Sequence, residues 1–319
     1  MNDFTLTKDA EGVATITWDV ADKTMNVMSF EGLEQLNAQI DDALADDAVK
    51  GIVITSGKDS FAGGMDLNLL AKMRADAGDD PAKGLFEGTM RMHHLLRKIE
   101  LSGMDPKTKK GGKPIATALP GTAAGIGLEL PLSTHRIFSA NNPKAKIGLP
   151  EILVGIFPGA GGTTRLVRKL GLMGASSLLL EGRMNSPEKA LKAGLIDEVV
   201  EDPIAAARAW VLSAKDADLL KPWDAKGYKL PGGAPYHPAG FMNFVGANAL
   251  VGGKTKGAFP AAKAMSPSGL KTRGRTNEFG CIQHTLKAFV ILEHLTTAIH
   301  HAQERIFRNV GKDPGFMAD

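Results

Sequence analysis

Two-residue alternation, short apolar runs and helical periodicity follow one another along the first two hundred residues. Residues 4–8 and 13–18 alternate apolar and polar side chains around the turn residues 9–12, which predicts an opening hairpin. Later runs are mostly apolar and bounded by turn residues, as in strands buried on both faces of a sheet. These predicted strands are 51–55, 114–119, 136–140 and 195–200.

Helical spacing predicts the segments between these strands. Ser29 can cap a helix whose apolar side chains recur every three or four residues as far as Leu44. The segment from Ser186 to Gly194 has a serine cap, proline in the first helical position and glycine just past the end. Further helices are predicted over 84–100, 127–133, 162–170 and 173–181. This alternation predicts an α/β domain that ends near residue 200.

The chain changes character after residue 202. Residues 203–215 have a helical pattern, 222–257 are rich in glycine, proline and aromatic residues, and 282–308 could form one or two amphipathic helices. We therefore expect an α/β domain over 1–202 and a mainly helical region over 203–319.

Composition and charge exclude several classes of protein. The chain has 43% hydrophobic and 23% charged residues, as in ordinary globular proteins. The net charge is +3, and the C-terminal residues 254–319 hold ten Lys/Arg against five Asp/Glu. Because no stripe of interleaved aromatic residues accompanies this positive charge, no nucleic-acid partner is expected. The single cysteine, Cys281, excludes an internal disulfide and a cysteine-ligated zinc site. No apolar run approaches the ~18 residues of a membrane span and no signal peptide is visible, so we expect a cytoplasmic protein.

Glycine is notably abundant, at 37 of 319 positions. Residues 52–67 and 115–130 each run from a predicted buried strand through a glycine-rich turn into a helix. Such a turn exposes backbone N–H groups at a helix N-terminus, where they can bind an anion or a developing oxyanion. The alternative is that these glycines serve only close packing of helix on strand.

Motifs for nucleotides, metals and serine nucleophiles are incomplete. Residues 159–164 lack the last glycine of a dinucleotide fingerprint, and 253–255 resemble the end of a P-loop whose first glycine is replaced by Asn248. The GxSxG pattern of serine hydrolases is absent. Neighbouring side chains on a helix do not face one another, so the adjacent histidines are not expected to bind a metal. These pairs are His93–His94 and His300–His301.

Two glutamates lie in apolar surroundings. Glu129 interrupts the apolar segment 128–132, and Glu151 stands between Gly-Leu-Pro and Ile-Leu-Val. Burial raises the pKa of a carboxyl group toward the range in which it can act as a general acid or base. The alternative is a buried ion pair, with Arg136 or Arg165 as the partner.

Three segments resemble the enoyl-CoA hydratase (crotonase) family: 61–67, 113–130 and 147–163. The third is most similar to the hydratase domain at the front of multifunctional fatty-acid oxidation proteins. The resemblance is strong over about 4–200 and looser to about 260. It implies an α/β fold, a crotonase-like spiral of ββα units, and either a homo-oligomer (a trimer or a dimer of trimers) or docking to other β-oxidation enzymes.

The resemblance also implies roles for particular residues. The backbone N–H groups of Met65 and Ile126 would form an oxyanion hole, and Glu129 and Glu151 would be the catalytic carboxylates. Lys23 would meet the CoA phosphates, Gly63 the CoA arm, and Gly159 the water side of the site. Contacts to substrate or CoA are thus expected at Lys23, Gly63, Asp66 and Gly159.

The sequence departs from the family pattern in three places. Many relatives have alanine at the position of Met65 and glycine at that of Ile126, whose branched side chain restricts the backbone. The insertion 102–112 is longer than usual, and its lysines either meet CoA phosphates or belong to a solvated loop.

The implied activity is addition of water to a 2-trans-enoyl-CoA, giving a 3-hydroxyacyl-CoA. Acyl-CoA is then the substrate, and no separate cofactor or metal is expected. Since no dinucleotide fingerprint follows the first domain, we also expect no NAD chemistry. Two alternatives stay open: a 3-enoyl to 2-enoyl-CoA isomerase, and a non-catalytic subunit that binds acyl-CoA or serves assembly.

Overall fold

The computed structural model describes residues 2–66 and 81–234, with a few positions between 238 and 246. Several predictions lie outside these residues: the helices over 282–308, the basic tail, Cys281, His300–His301 and the segment 253–255. Within the described residues the strands, numbered in chain order, are β1 Phe4–Lys8, β2 Val13–Trp18, β3 Val27–Met28, β4 Gly51–Ser56, β5 Gly64–Met65, β6 Ile115–Leu119, β7 Ala123–Ala124, β8 Arg136–Ala140, β9 Ile147–Gly148 and β10 Glu198–Val200.

The helices in the same part of the chain connect these strands. The α-helices are α1 Phe30–Ala45, α2 Pro81–Leu101, α3 Ile126–Ser133, α4 Gly162–Leu180, α5 Pro187–Lys192, α6 Pro203–Ser213 and α7 Asp216–Leu219. Short 3-10 helices span Pro150–Val154 and Pro222–Asp224. Predicted details of two helices are confirmed: Ser29 caps α1 through its hydroxyl, and α4 is broken at Gly171, between the two helices that were expected there.

One six-stranded sheet organises the domain, in the order β1-β2-β4-β6-β8-β10. The opening hairpin is confirmed as the antiparallel pair β1–β2, and the other strands pair in parallel. The strand predicted over 195–200 was wrong in its first half. Gly194 has φ +75°, and both the backbone N–H and the side chain of Asp197 bind Ile137. These bonds hold a turn, so the strand begins only at Glu198.

Helix α6 covers one face of this sheet. Its Ala207 and Val211 belong to a buried apolar cluster whose members on the strands are Val13, Val53, Ala116, Ala118 and Phe138. The contact is close, because a Cβ atom on Gly51 would lie 2.6 Å from Cβ of Val211. The domain boundary predicted at residue 202 stays a prediction. Helix α6 follows this boundary in the sequence but packs on the sheet formed by residues before it.

Parallel strands place both glycine-rich junctions at one edge of the sheet. The turns that follow β4 and β6 lie at the carboxyl ends of these neighbouring strands. The insertion 102–112 precedes β6 and therefore lies at the opposite edge. There Lys113 donates through Nζ to the backbone carbonyl of Asp46 at 2.7 Å. This position favours the solvated-loop interpretation of the insertion.

Asn26 joins the strands β2 and β4 to the first glycine-rich junction. It is fully buried, and its Nδ2 lies 2.9 Å from the carbonyl oxygens of Trp18 and Phe61 and from Oγ of Ser56. Its Oδ1 accepts from the N–H of Val20 at 2.9 Å. One side chain therefore connects the ends of the neighbouring strands β2 and β4 with the loop before β3 and with the first glycine-rich junction.

The change Asn26→Asp tests this linkage. A carboxylate has no N–H to donate, so it would face two carbonyl oxygens without a proton between them. We expect the free energy of unfolding to fall by about 2–4 kcal/mol at neutral pH, measured by urea denaturation. The same change at the exposed Asn2 should cost almost nothing; equal losses at both positions would contradict the role of Asn26.

Candidate active site

The first glycine turn comprises residues 62–66 and contains Met65. Gly63 donates to the carbonyl of Asn26 at 2.9 Å and Asp66 to that of Met28 at 3.1 Å, which fixes the turn against β3. Between these two bonds, Gly64 has φ +127°, so the turn departs from regular strand geometry immediately before Met65.

The second glycine turn comprises residues 121–126 and leads into α3. Gly125 has φ +58°, a conformation that glycine adopts without strain. A Cβ atom there would lie 3.6 Å from Cα of Gly64, so the two turns meet backbone to backbone. Ile126 is the first residue of α3, and its N–H has no acceptor within the helix.

The branched side chain of Ile126 fits this geometry. It is buried in the main apolar core and its backbone is helical, while Gly125 takes the unusual conformation. A branched residue at position 126 is therefore accommodated, because the conformation that requires glycine falls on Gly125. Met65 is half-buried and packs against the same core.

Glu129 lies one turn into α3. Its side chain is buried, and Oε1 accepts a hydrogen bond from the N–H of Gly162 at 2.7 Å. Burial raises the pKa of Glu129 to about 7, although the Gly162 N–H and the charge of Arg165 act in the opposite direction. Glu129 can therefore exchange a proton near neutral pH.

Glu151 lies in the 3-10 helix Pro150–Val154. Its Oε1 would be 3.4 Å from a Cβ atom on Gly125, which brings it to the second glycine turn. Its Oε2 is buried and has no hydrogen-bond partner in the described part of the chain. Burial, and after it the charge of Glu129, raise the pKa of Glu151 well above its usual value. The two carboxyl groups therefore interact.

The ion pairs that sequence reasoning left open involve other partners. Arg165 donates through Nε to Glu100 at 2.8 Å, and Arg136 pairs with Glu198. Neither arginine forms a salt bridge with Glu129 or Glu151 among the described residues. The buried pair Arg165–Glu100 was not predicted, because its members are isolated charges separated by 65 positions in the chain.

The predicted binding residues surround the two turns. Lys23 is exposed on the loop that ends at Asn26, and this loop touches the first turn, since a Cβ atom on Gly63 would lie 2.7 Å from Sδ of Met25. Asp66 is half-buried and directly follows Met65. Gly159 lies in the turn that precedes Gly162, the partner of Glu129. The roles of these residues stay predictions.

A sequence model of the enoyl-CoA hydratase/isomerase family matches residues 8–215. The chain belongs to this family. It is 33% identical over 220 residues to the fatty acid oxidation complex subunit alpha of Shewanella amazonensis, a match that covers 69% of this chain. The chain spans only 29% of the length of that relative.

Solved structures show the same fold. The enoyl-CoA hydratase of Thermoplasma volcanium GSS1 superposes with a TM-score of 0.55 at 25% identity, over 86% of this chain and 94% of the other. A protein of Magnetospirillum magneticum described as an enoyl-CoA hydratase/carnithine racemase has a TM-score of 0.58 at 21% identity, over 80% and 94%. The crotonase fold expected from the sequence is confirmed. No helix in the described ranges combines the length and apolar character that crossing a membrane requires.

The raised pKa of Glu129 makes the stability of this protein depend on pH. An acid with a pKa of about 7 when folded, against 4.5 in the unfolded chain, holds its proton longer in the folded state. The free energy of unfolding therefore falls as pH rises between these two values. Glu129→Gln removes this loss. We expect urea unfolding to show similar stabilities at pH 4.5 and a gain of about 1–3 kcal/mol for the variant at pH 8.

The control is Glu188→Gln, an exposed glutamate in the first turn of α5. Its effect should be small and nearly independent of pH. A difference between Glu129→Gln and wild type that is the same at both pH values would mean that Glu129 does not titrate in this interval.

Proposed function

We propose that this protein hydrates 2-trans-enoyl-CoA thioesters to 3-hydroxyacyl-CoA in the β-oxidation of fatty acids. The observation that carries the proposal is a pair of acids, the buried Glu129 and the half-buried Glu151 with its buried Oε2, beside two glycine turns whose backbones meet. An isomerase needs only one acid to move a proton, whereas hydration uses one group to activate water and another to protonate carbon. The family and the curated relatives support the same class of reaction.

The glycine turns would hold the thioester carbonyl. Attack of water on C3 moves electrons toward the thioester oxygen, which acquires enolate character. Two N–H groups, from Met65 and Ile126, would donate to this oxygen, and the positive end of the α3 dipole would add to their effect. Each such donor contributes about 3–4 kcal/mol to transition-state stabilisation.

The two acids would divide the proton transfers. Oε1 of Glu129 accepts a hydrogen bond from the N–H of Gly162, and the pKa of Glu129 is about 7. Glu129 would therefore supply the carboxylate that takes a proton from water. Oε2 of Glu151 has no hydrogen-bond partner among the described residues, and burial and the charge of Glu129 raise the pKa of Glu151 well above its usual value, so Glu151 would hold the proton that passes to C2. The pair holds one proton before and after turnover, and the hydroxyl oxygen goes to C3.

Replacing either acid should abolish most of the activity. We expect Glu129→Gln and Glu151→Gln each to slow hydration of crotonyl-CoA by about 10²–10⁴-fold, as for loss of a positioned acid or base. The loss is read as kcat from the decrease in enoyl-thioester absorbance, with Glu188→Gln as the matched control.

The same assay separates the alternatives. Full hydration by either variant would refute the scheme. Turnover of a 3-enoyl-CoA without hydration of crotonyl-CoA would identify an isomerase. Binding of acyl-CoA without turnover of either compound would identify a non-catalytic subunit.

Lys23 provides a test of CoA recognition. If its ammonium meets the CoA phosphates, Lys23→Gln should raise KM for crotonyl-CoA about two- to fivefold and leave kcat unchanged, because the contact is the same in ground and transition states. Crotonyl-pantetheine, which lacks the nucleotide phosphates, should show no change. The control is Lys50→Gln, since Lys50 is exposed at the opposite edge of the sheet. An equal effect on both thioesters would exclude phosphate recognition.

A further inference from the structure

The turn that binds Glu129 spans residues 158–162, and we call it the anchored turn. On one side, the N–H of Gly162 donates to Oε1 of Glu129 at 2.7 Å. The backbone of Ala160 also hydrogen-bonds this carboxyl group, and both bonds lower its pKa. The environment of Glu129 therefore depends on the orientation of successive peptide groups in this turn.

Side chains hold the other side of the anchored turn. Arg165 donates through Nη1 to the carbonyl of Ala160 at 2.9 Å. The ring of His93 hydrogen-bonds the backbone of Gly159. Between them, Gly161 has φ +103°, and a Cβ atom there would lie 2.2 Å from Nη1 of Arg165. The guanidinium group thus lies directly against the backbone of the turn.

A series of buried ion pairs fixes the guanidinium group of Arg165. It is 6% exposed, and its Nε donates to Glu100 at 2.8 Å. Glu100 is 3% exposed and accepts from Arg97 at 2.7 Å, while Arg97 binds Asp224 through two hydrogen bonds of 2.8 and 2.9 Å. These four residues carry two positive and two negative charges. The positive charge of the buried Lys221 also acts on Glu100. Groups paired with opposite charges in this way can stay ionised in the interior, and the network ties α2 and the 3-10 helix Pro222–Asp224 to the anchored turn.

We propose that Arg165 is a positioning residue for Glu129: braced by Glu100, its guanidinium orients the anchored turn so that the N–H of Gly162 meets Oε1. Arg165 does not touch the reactants in this arrangement. The inference rests on the proposed function in that Glu129 is the acid whose placement matters.

Loss of the contact between Arg165 and the anchored turn should raise the pKa of Glu129. The charged groups that face this carboxyl are Glu151 from the 3-10 helix and Arg165 from α4. From α2, His93 faces the anchored turn, and burial lowers its pKa to about 4, so it is uncharged near neutral pH. Without Arg165 the N–H groups of the turn lose their fixed direction and the nearby positive charge disappears. Both changes raise the pKa of Glu129.

The test combines a titration with kinetics. Glutamate side chains are labelled with ¹³C, and the resonance of Glu129 is assigned by its loss in Glu129→Gln. In Arg165→Met we expect the titration midpoint to rise by about one unit or more. We also expect kcat for crotonyl-CoA to fall about 10- to 100-fold with KM within about twofold. The acid limb of the pH–kcat profile should move with the titration midpoint.

Arg165→Lys and Glu100→Gln separate positioning from charge and from folding. Arg165→Lys keeps the positive charge but cannot reach both Glu100 and Ala160, so kcat should stay reduced about three- to tenfold while the midpoint shifts less. Glu100→Gln keeps the charge of Arg165 but removes the carboxylate that fixes it, so kcat should also fall; because the lost negative charge lowers the pKa of Glu129, only kcat is read for this variant. If Arg165→Met does not fold, these two variants carry the test.

The matched control is Arg168→Met, the same change one turn further along α4, with no expected effect on the midpoint. A wild-type midpoint for Glu129 in Arg165→Met, or wild-type kcat in Arg165→Lys, would overturn the proposal. The titration needs no turnover, so it reports the effect of Arg165 even if the wild-type protein does not hydrate crotonyl-CoA.

Discussion

The site depends on the close approach of chain segments at positions that require glycine. At the edge of the sheet, Gly125 and Gly64 lie in contact and both have positive φ, and a Cβ atom on Gly127 would lie only 2.8 Å from Cβ of Ala62. These contacts bring the start of α3 against the turn that follows β4. The same requirement recurs at Gly162, whose Cβ position is 2.9 Å from Oε1 of Glu129. Seven of the 37 glycines lie in the three turns, which meet around one small volume.

Charge in the interior is arranged in two different ways. The network from Asp224 to Arg165 pairs opposite charges through hydrogen bonds, so its ionised groups compensate each other. Glu129 and Glu151 form no salt bridge among the described residues and interact unfavourably when both are ionised. A buried pair of this kind costs stability and keeps a proton available, which is typical of sites that perform acid–base chemistry.

Local patterns predicted the elements well, because the strands are apolar and bounded by turn residues and the helices have recognisable caps. The fold family followed from three motifs. Partners at long range could not be predicted, since nothing near Glu100 in the sequence indicates Arg165, and nothing near Asn26 indicates the three acceptors around it. The candidate acids were found because they interrupt apolar runs, whereas their surroundings depend on the turn at 158–162, whose backbone direction no pattern encodes.

The position of α6 affects where the chain could be shortened without uncovering the sheet. A chain that stopped at residue 202 would retain every predicted strand, the two glycine turns and both acids. It would also expose the sheet face formed by Val53, Ala116 and Phe138, which α6 covers through Ala207 and Val211. An uncovered apolar sheet face of this kind favours association between chains. The autonomous folding unit therefore extends at least to Ser213, beyond the last residue that belongs to the sheet.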